Sequence, residues 1–316
     1  MKALYFDGAR AVYSEDLPVP SPREGQSLVR VLVCGVCNTD KEILKGYRPD
    51  FKGVMGHEFV GVVEASSDPK WVGKRVVSEI NAGCGHCLYC KTGREKHCES
   101  RKTFGMSCDG CFAEYVVAEN HLLYEVPEDL PTEVAVFAEP LAAALEIPSQ
   151  VHIRPDSKTA LIGDGRLALM IAGVLALTGT DLTVIGRHDE KLALFSAYGK
   201  TVKETDESFD VVVDATGSAS GIALAQKIVR RQGTIVLKST YSGNTNIDMA
   251  TFVVNEITLV GSRCGPFAPA LNLLAKGSVK LPPVTLFDLK DYEKAFSSPA
   301  FKAAFRMSGE KEEKVQ

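Results

Sequence analysis

No apolar run in the 316 residues approaches the ~20 that a membrane-spanning helix needs. The longest, at residues 167–177, is about half that length and reads as a buried core helix. The first residues, Met1-Lys2-Ala3-Leu4-Tyr5-Phe6, enter a strand-like pattern at once and lack the apolar stretch and cleavage site of a secretory signal. A cytosolic protein is expected. Excess charge of either sign is also missing: 36 basic and 40 acidic residues leave a net charge of −4, with no Lys/Arg stripe to bind nucleic acid. No internal repeat or low-complexity segment is visible. The richest charge run, at 308–314, is expected to be a solvated, frayed tail.

What is present suits an ordinary globular protein, with 45% hydrophobic and 24% charged residues. The length suggests two domains, each able to bury its own core. Residues 1 to about 125 carry short strand patterns, such as 28–33 and 59–63, between Gly, Pro and polar turns. From Thr132 the texture changes. A helix over 133–145 leads to strands at 159–162, 182–185, 211–213, 234–237 and 257–260, with helices at 189–198 and 222–230. This alternation predicts βαβ units and a parallel sheet. After about Lys276 the short elements are too few for a third domain and are expected to rejoin the first.

Nine cysteines are an odd number, and eight lie in the first half. In a reducing compartment such clusters are more often metal ligands than disulfides. Cys84, Cys87, Cys90 and Cys98 are spaced so that one loop could wrap four thiolates around a tetrahedral zinc. Gly83, Gly85 and Gly93 would give that loop its backbone freedom. Four sulfurs leave no open coordination position, so the site should be structural. Two disulfides or unrelated free thiols are the competing reading, and His86 and His97 are alternative ligands.

A second set offers an opening. Cys37-Asn38-Thr39-Asp40 and Gly56-His57-Glu58 provide a thiolate, an imidazole and carboxylates. A catalytic zinc takes about three protein ligands and keeps a position free. Cys37 and His57 fit two of those roles, and Asp40 could fix the His57 tautomer. Thr39 brings a hydroxyl suited to proton transfer. Glu139, followed by Pro140, stands where the two textures meet and is a further candidate ligand; favourable placement early in a helix is its plainer reading.

Gly163-Asp164-Gly165-Arg166-Leu167-Ala168 follows one expected strand and opens a helix. This is G-x-G-x-x-A, a variant of the dinucleotide fingerprint. Gly163 permits the turn, and Gly165, with Arg166 and Leu167 opening the helix, lets backbone N–H groups approach a pyrophosphate. Asp164 is unfavourable there unless it points away or pairs with Arg166. An acid normally stands ~20 positions on to hold the ribose hydroxyls of NAD. Here the strand ends Ile185-Gly186-Arg187-His188, which favours NADP over NAD, with Gly186 leaving space and Arg187 facing a phosphate. Stacking of Arg187 on adenine in an NAD enzyme is the alternative.

Taken in order, Gly35-Val-Cys-Asn-Thr-Asp40, Gly56-His-Glu58, the four-cysteine lobe, Asp109-Gly-Cys-Phe-Ala-Glu-Tyr115, Glu139-Pro-Leu141 and the glycine turn resemble the medium-chain dehydrogenase/reductase family, in its zinc-dependent alcohol and polyol dehydrogenase branch. The resemblance implies an α/β protein. A GroES-like β-rich catalytic domain (1–140 and 277–316, with a zinc lobe at 81–98) would join a Rossmann doubly wound parallel sheet (141–276). It implies two zinc ions per chain, one catalytic at Cys37, His57, Glu58 and Glu139 and one structural. Thr39 matches the relay hydroxyl, Thr216 the segment beside the nicotinamide ribose, and Arg263 an arginine that reaches the cofactor.

The activity so implied is hydride transfer between an alcohol, aldehyde or ketone and NAD(P), in a homodimer or homotetramer. A non-redox binding or structural protein that keeps the fold, and a nucleic-acid-binding zinc module, are the rivals. Ala168 in place of the third glycine, the charged turn, and short loops at 46–54 and 101–109 depart from the family pattern.

Overall fold

The computed structural model describes residues 1–240 and 244–307; the charged tail expected at 308–314 lies outside them. The chain divides into two compact units. One holds Met1–Glu139, Leu274–Lys276 and the chain from Pro282 onward, the other Pro140–Leu273 and Gly277–Leu281.

The first unit is built around strand Gln26–Gly35. Its early residues alternate between buried and half-buried, while its last five are all buried. Alternation marks one covered face and continuous burial marks two. The strand pairs antiparallel with Glu58–Ser66 on one side and Lys302–Arg306 on the other, and with Tyr115–Glu119 near its start. Among the described residues this sheet has seven strands, with Val284–Asp288 beyond Lys302–Arg306 at one edge. The C-terminal strand therefore lies directly beside the strand that leads to Cys37. Leu4, Val31, Phe59, Phe112 and Phe305 fill the core over it. A separate two-stranded ribbon, Asn81–Ala82 against Lys102–Thr103, clamps the two ends of the cysteine loop.

The second unit holds six parallel strands among the described residues: Lys158–Ile162, Asp181–Ile185, Lys200–Val202, Phe209–Asp214, Val229–Leu237 and Thr258–Gly261. Counted along the chain they lie in the order 3-2-1-4-5-6, the doubly wound arrangement of a Rossmann sheet. Leu161, Val184, Val212 and Val213 are buried, because layers on both faces exclude water. Helix Arg166–Ala176 is apolar on all sides and buried from Ala168 to Leu175.

Several local expectations change. The third strand, Lys200–Val202, is only three residues long and carries no apolar alternation that would announce it. The helix expected over 133–145 is two helices, Thr132–Ala135 and Ala138–Gln150. Pro140 cannot donate a helical hydrogen bond, so it is accommodated in the first turn of the second helix rather than inside a continuous one. The helix expected over 189–198 stops at Leu192, and the chain tightens into a 3₁₀ turn that buries Phe195.

Candidate active site and metal centres

Cys37 lies where strand Gln26–Gly35 gives way to helix Asn38–Leu44, as that helix's N-cap. Its backbone N–H donates to Asp40 Oδ2 at 2.8 Å. The other oxygen, Asp40 Oδ1, lies 3.3 Å from His57 Nδ1, with both side chains buried. Asp40 thus ties the cysteine turn to His57, which immediately precedes the strand Glu58–Ser66. Neither Asp40 Oδ1 nor His57 Nδ1 has a well-aligned hydrogen bond, so the pair is held by charge and position. Burial alone would discharge the ring; the Asp40 charge and contacts with Asp40 and Cys37 outweigh it and raise the His57 pKa well above its usual value. A metal ion arriving there would have to displace that proton.

His57 and Glu58 follow Gly56, whose φ of +88° belongs to the left-handed region. A Cβ at Gly56 would stand 2.2 Å from Phe112 Cδ1, so only glycine lets the chain turn there beneath the core ring. One ligand atom each from Cys37, His57 and Glu58 falls within 4.8 Å of the others. A soft thiolate, an imidazole and a carboxylate form a donor set that fits zinc with a position left open. Thr39 Oγ1 lies 3.6 Å from Cys37 Sγ, at the edge of this group. Glu139 is not among the clustered ligand atoms; it occupies the first turn of helix Ala138–Gln150.

Glu58 has a partner that the sequence reading missed. Lys302, from the C-terminal strand, donates to Glu58 Oε2, and the two side chains are only 5% and 2% exposed. The Lys302 ammonium also stands 5.8 Å from the centre of the Phe137 ring. Space for the pair comes from Gly35, where a Cβ would meet Glu58 Oε2 at 2.4 Å and Lys302 Nζ at 2.7 Å. The signal in the sequence was a lone lysine in the otherwise apolar Phe301-Lys302-Ala303-Ala304-Phe305. A buried charge of that kind requires a counter-charge.

The four lobe cysteines also converge, with their sulfurs all within 4.8 Å of one another. Cys87 and Cys90 sulfurs are 3.5 Å apart, and the Cys84 N–H donates to Cys98 Sγ at 3.4 Å. Gly85 and Gly93 take φ of +77° and +70°, and a Cβ at Gly83 would strike Cys90 Sγ at 2.6 Å. Backbone N–H groups of His86 and Cys87 hold the Cys84 thiol down to about 6, whereas desolvation pushes Cys90 up to about 12. Four sulfurs this close do not ionise together without a cation among them. His86 turns away to the Cys84 carbonyl at 2.8 Å, and His97 packs near the Tyr89 ring.

In the second unit, Gly163 and Gly165 have distinct roles. A Cβ at Gly163 (φ +126°) would meet Ala215 O at 2.9 Å, so this glycine packs the turn against the fourth strand. Around Gly165, the N-cap of helix Arg166–Ala176, a Cβ would meet nothing within 4 Å, which leaves room for a ligand at the helix end opened by Arg166 and Leu167. Asp164 points away from that opening, toward the end of the second strand: its Oδ2 accepts from the N–H groups of Arg187 and His188 at 2.7 and 2.9 Å. The end of the second strand carries no acid of its own, and the Asp164 carboxylate comes to lie beside Gly186 from the turn.

The Arg187 guanidinium donates to Ser220 Oγ at 3.2 Å. Thr216 uses its hydroxyl on Asp214 Oδ1 at 2.8 Å, shaping the end of the fourth strand. Arg263 is exposed beyond the sixth strand, 3.7 Å from the neighbouring Cys264 Sγ. Lys238, a second buried lysine that was not anticipated, donates to Ser262 Oγ at 3.2 Å and joins the ends of the fifth and sixth strands.

Removing one member of a buried ion pair strands the other charge, at a cost of about 3–5 kcal/mol. Lys302→Met should therefore destabilise the first unit by about that much in urea unfolding. Adding Glu58→Gln should recover a large part of the loss, since both charges are then gone. A Lys302→Met protein within about 1 kcal/mol of wild type would contradict the pairing.

Over residues 23–128 the chain matches the alcohol dehydrogenase GroES-like domain, and over 167–276 the zinc-binding dehydrogenase domain. It is 27% identical over 337 residues to D-arabinitol dehydrogenase 1 of Uromyces fabae, covering 98% of this chain and 96% of the relative. Two solved structures are similar throughout. A zinc-binding dehydrogenase from Sinorhizobium meliloti bound to NADP superposes with a TM-score of 0.88 at 26% identity, covering 97% of this chain and 99% of that one. Acetophenone reductase from Geotrichum candidum in complex with NAD gives 0.89 at 25%, covering 97% of each. These relatives are oxidoreductases by name, and the alternative of a non-redox protein on the same fold falls away. No helix among the described residues is long and apolar enough to cross a membrane. The chain belongs to the zinc-dependent alcohol and polyol dehydrogenase branch of the medium-chain dehydrogenase/reductase family, an oxidoreductase that transfers a hydride between an alcohol or its carbonyl product and a nicotinamide dinucleotide.

Proposed function

We propose that Cys37, His57 and Glu58 hold a catalytic zinc, that Glu139 completes this site, and that Cys84, Cys87, Cys90 and Cys98 hold a second, structural zinc. The convergence of three unlike donors within 4.8 Å, two of them buried, carries this reading. Bound there, zinc would supply Lewis acidity toward the substrate oxygen. Around it the chain's own groups have defined tasks. Asp40 orients His57 from behind, as a carboxylate does for a metal-bound imidazole. Lys302 balances the Glu58 charge. Thr39 stands where a hydroxyl can pass the substrate proton toward solvent. In the second unit, the opening at Gly165 receives the pyrophosphate, while Thr216 and Arg263 border the nicotinamide end.

The substrate we infer is a secondary alcohol or its ketone, with polyols included. Arabinitol is a polyol and acetophenone a ketone, as the names of two relatives state. Gly186 and Arg187 by themselves favour NADP over NAD; the Asp164 carboxylate beside Gly186 is the observation from which we infer the opposite preference below. A four-thiolate site suits a reducing compartment, which supports a cytoplasmic protein.

A homo-oligomer is supported by the second unit. Its last strand, Thr258–Gly261, is a sheet edge with Leu259 42% exposed, and the preceding helix exposes Met249, Val253 and Val254 at 63–78%. An apolar edge of that kind is ordinarily covered. The double variant Val253→Glu/Val254→Glu should shift the species seen by light scattering to the monomer mass; an unchanged mass would remove this face from the interface.

Two zinc ions per chain should be measured in protein purified without chelator. Cys98→Ser should lower thermal stability, while Cys37→Ser should abolish turnover with the fold retained. A fully active Cys37→Ser enzyme would end the catalytic assignment.

Glu139 is tested separately. As a helix-end charge its loss should cost only about 0.3–1 kcal/mol and leave turnover intact. As a partner of the metal or its water, Glu139→Gln should lower turnover or zinc retention about 10–100-fold. Unchanged turnover and zinc content would restrict the site to Cys37, His57 and Glu58.

A further inference from the structure

We infer that Asp164, carried on the glycine turn, supplies the carboxylate missing from the end of the second strand, and that it reads the adenosine ribose 2′-hydroxyl, selecting NAD(H) over NADP(H). The inference rests on the dehydrogenase reading above, and on three observations at that strand end.

The first is position. Gly186 directly follows the second strand, where a dinucleotide-binding sheet ordinarily places its acid. A Cβ at Gly186 would lie 2.8 Å from Asp164 Cβ and 3.0 Å from Asp164 Oδ2. With Leu192 Cδ2 at 2.7 Å, the Asp164 side chain thus shares the volume that a residue-186 side chain would enter. An acid at this place need not come from the strand itself; the turn, which packs alongside, delivers one from 22 residues earlier.

The second is how the carboxylate is held. Oδ2 accepts three bonds, from Arg187 N at 2.7 Å and from His188 N and Nδ1 at 2.9 Å each. All three fall on one oxygen, so Oδ1 stays available to a hydroxyl donor. The side chain is 12% exposed, enough to be reached but well fixed. Burial raises its pKa, but the two backbone N–H groups and the His188 ring outweigh that and hold it below the usual carboxylate value. It is an anion at neutral pH.

The third is what happens to the cations. His188 is turned onto Asp164, and the Arg187 guanidinium is bonded to Ser220 Oγ. The two groups that could welcome a 2′-phosphate are therefore engaged elsewhere, while a fixed negative charge stands where that phosphate would arrive. A ribose 2′-hydroxyl can donate to Oδ1; a phosphate dianion has nothing to donate and is repelled.

Equilibrium binding of NADH and NADPH, followed by nicotinamide fluorescence on wild type and Asp164→Asn, tests this without turnover. Asparagine keeps an oxygen for the Arg187 and His188 amides but removes the charge, so a purely structural role would leave the cofactor ratio unmoved. Wild type should bind NADH at least about tenfold more tightly, a difference of about 1.4 kcal/mol. Asp164→Asn should cut that ratio at least tenfold, mainly by strengthening NADPH. Should Asp164→Asn fail to fold, Asp164→Ser takes its place with the same expectation. Tighter NADPH binding in wild type, or an unchanged ratio in the folded variant, overturns the assignment while leaving the dehydrogenase reading intact. Binding of neither dinucleotide would overturn both.

Discussion

A carboxylate cannot stay charged inside a β-sheet core without a counter-charge, and Glu58 meets that requirement through Lys302, which is 244 residues further along the chain. Much of the first unit follows from this pair. The C-terminal strand has to lie beside Gln26–Gly35 for Lys302 to reach, and its register sets Ala304 opposite Gly35. Gly35 has to lack a side chain, since a Cβ there would collide with both charged groups. The same strand, two residues on, delivers Cys37, and the paired strand delivers His57 next to Glu58. The candidate metal ligands are thereby arranged on backbone whose register a buried ion pair supports.

A second buried carboxylate extends the arrangement. Asp40 is fully buried, with one oxygen on the Cys37 N–H and the other facing His57. Two buried acids therefore shape the candidate site: Asp40 stands behind the thiolate and the imidazole, while Glu58, itself a candidate ligand, shares its charge with Lys302. Neither acid is in contact with bulk water, so neither is screened. That low-dielectric setting strengthens each interaction and makes the loss of any one partner costly.

The second unit solves a similar problem with the opposite charge economy. In the proposed role its glycine turn brings backbone N–H groups to a pyrophosphate, and an acid facing that ligand would oppose it. Asp164 escapes by leaning onto the next strand, where the amides of Arg187 and His188 satisfy it. The residue that looked unfavourable in the motif becomes the anion of the neighbouring subsite. Lys238, buried between the fifth and sixth strand ends, shows the same economy: a charged side chain is kept inside by the Ser262 hydroxyl and the Arg263 carbonyl just beyond the sixth strand.

The sequence alone determined much of this protein. Its four-cysteine spacing, the Gly-His-Glu and Cys-Asn-Thr-Asp segments and the strand–glycine turn–helix are local patterns, and local chemistry dictates them: thiolate spacing suits a tetrahedral ion, and glycines permit turns that other residues resist. Periodicity likewise announced the parallel sheet, because strands covered on both faces must be apolar throughout. What the tertiary structure decided was every relation between distant segments. Lys302 gave no sign of its partner, since pairing across 244 residues depends on strand order rather than on neighbours in the chain. The strand Lys200–Val202 carried no alternation, being recruited to the sheet by its neighbour instead of by its own residues. The direction of Asp164 was equally invisible. A side chain on a turn can face the ligand or the adjoining strand, and only the packing of Gly186 against it settles which.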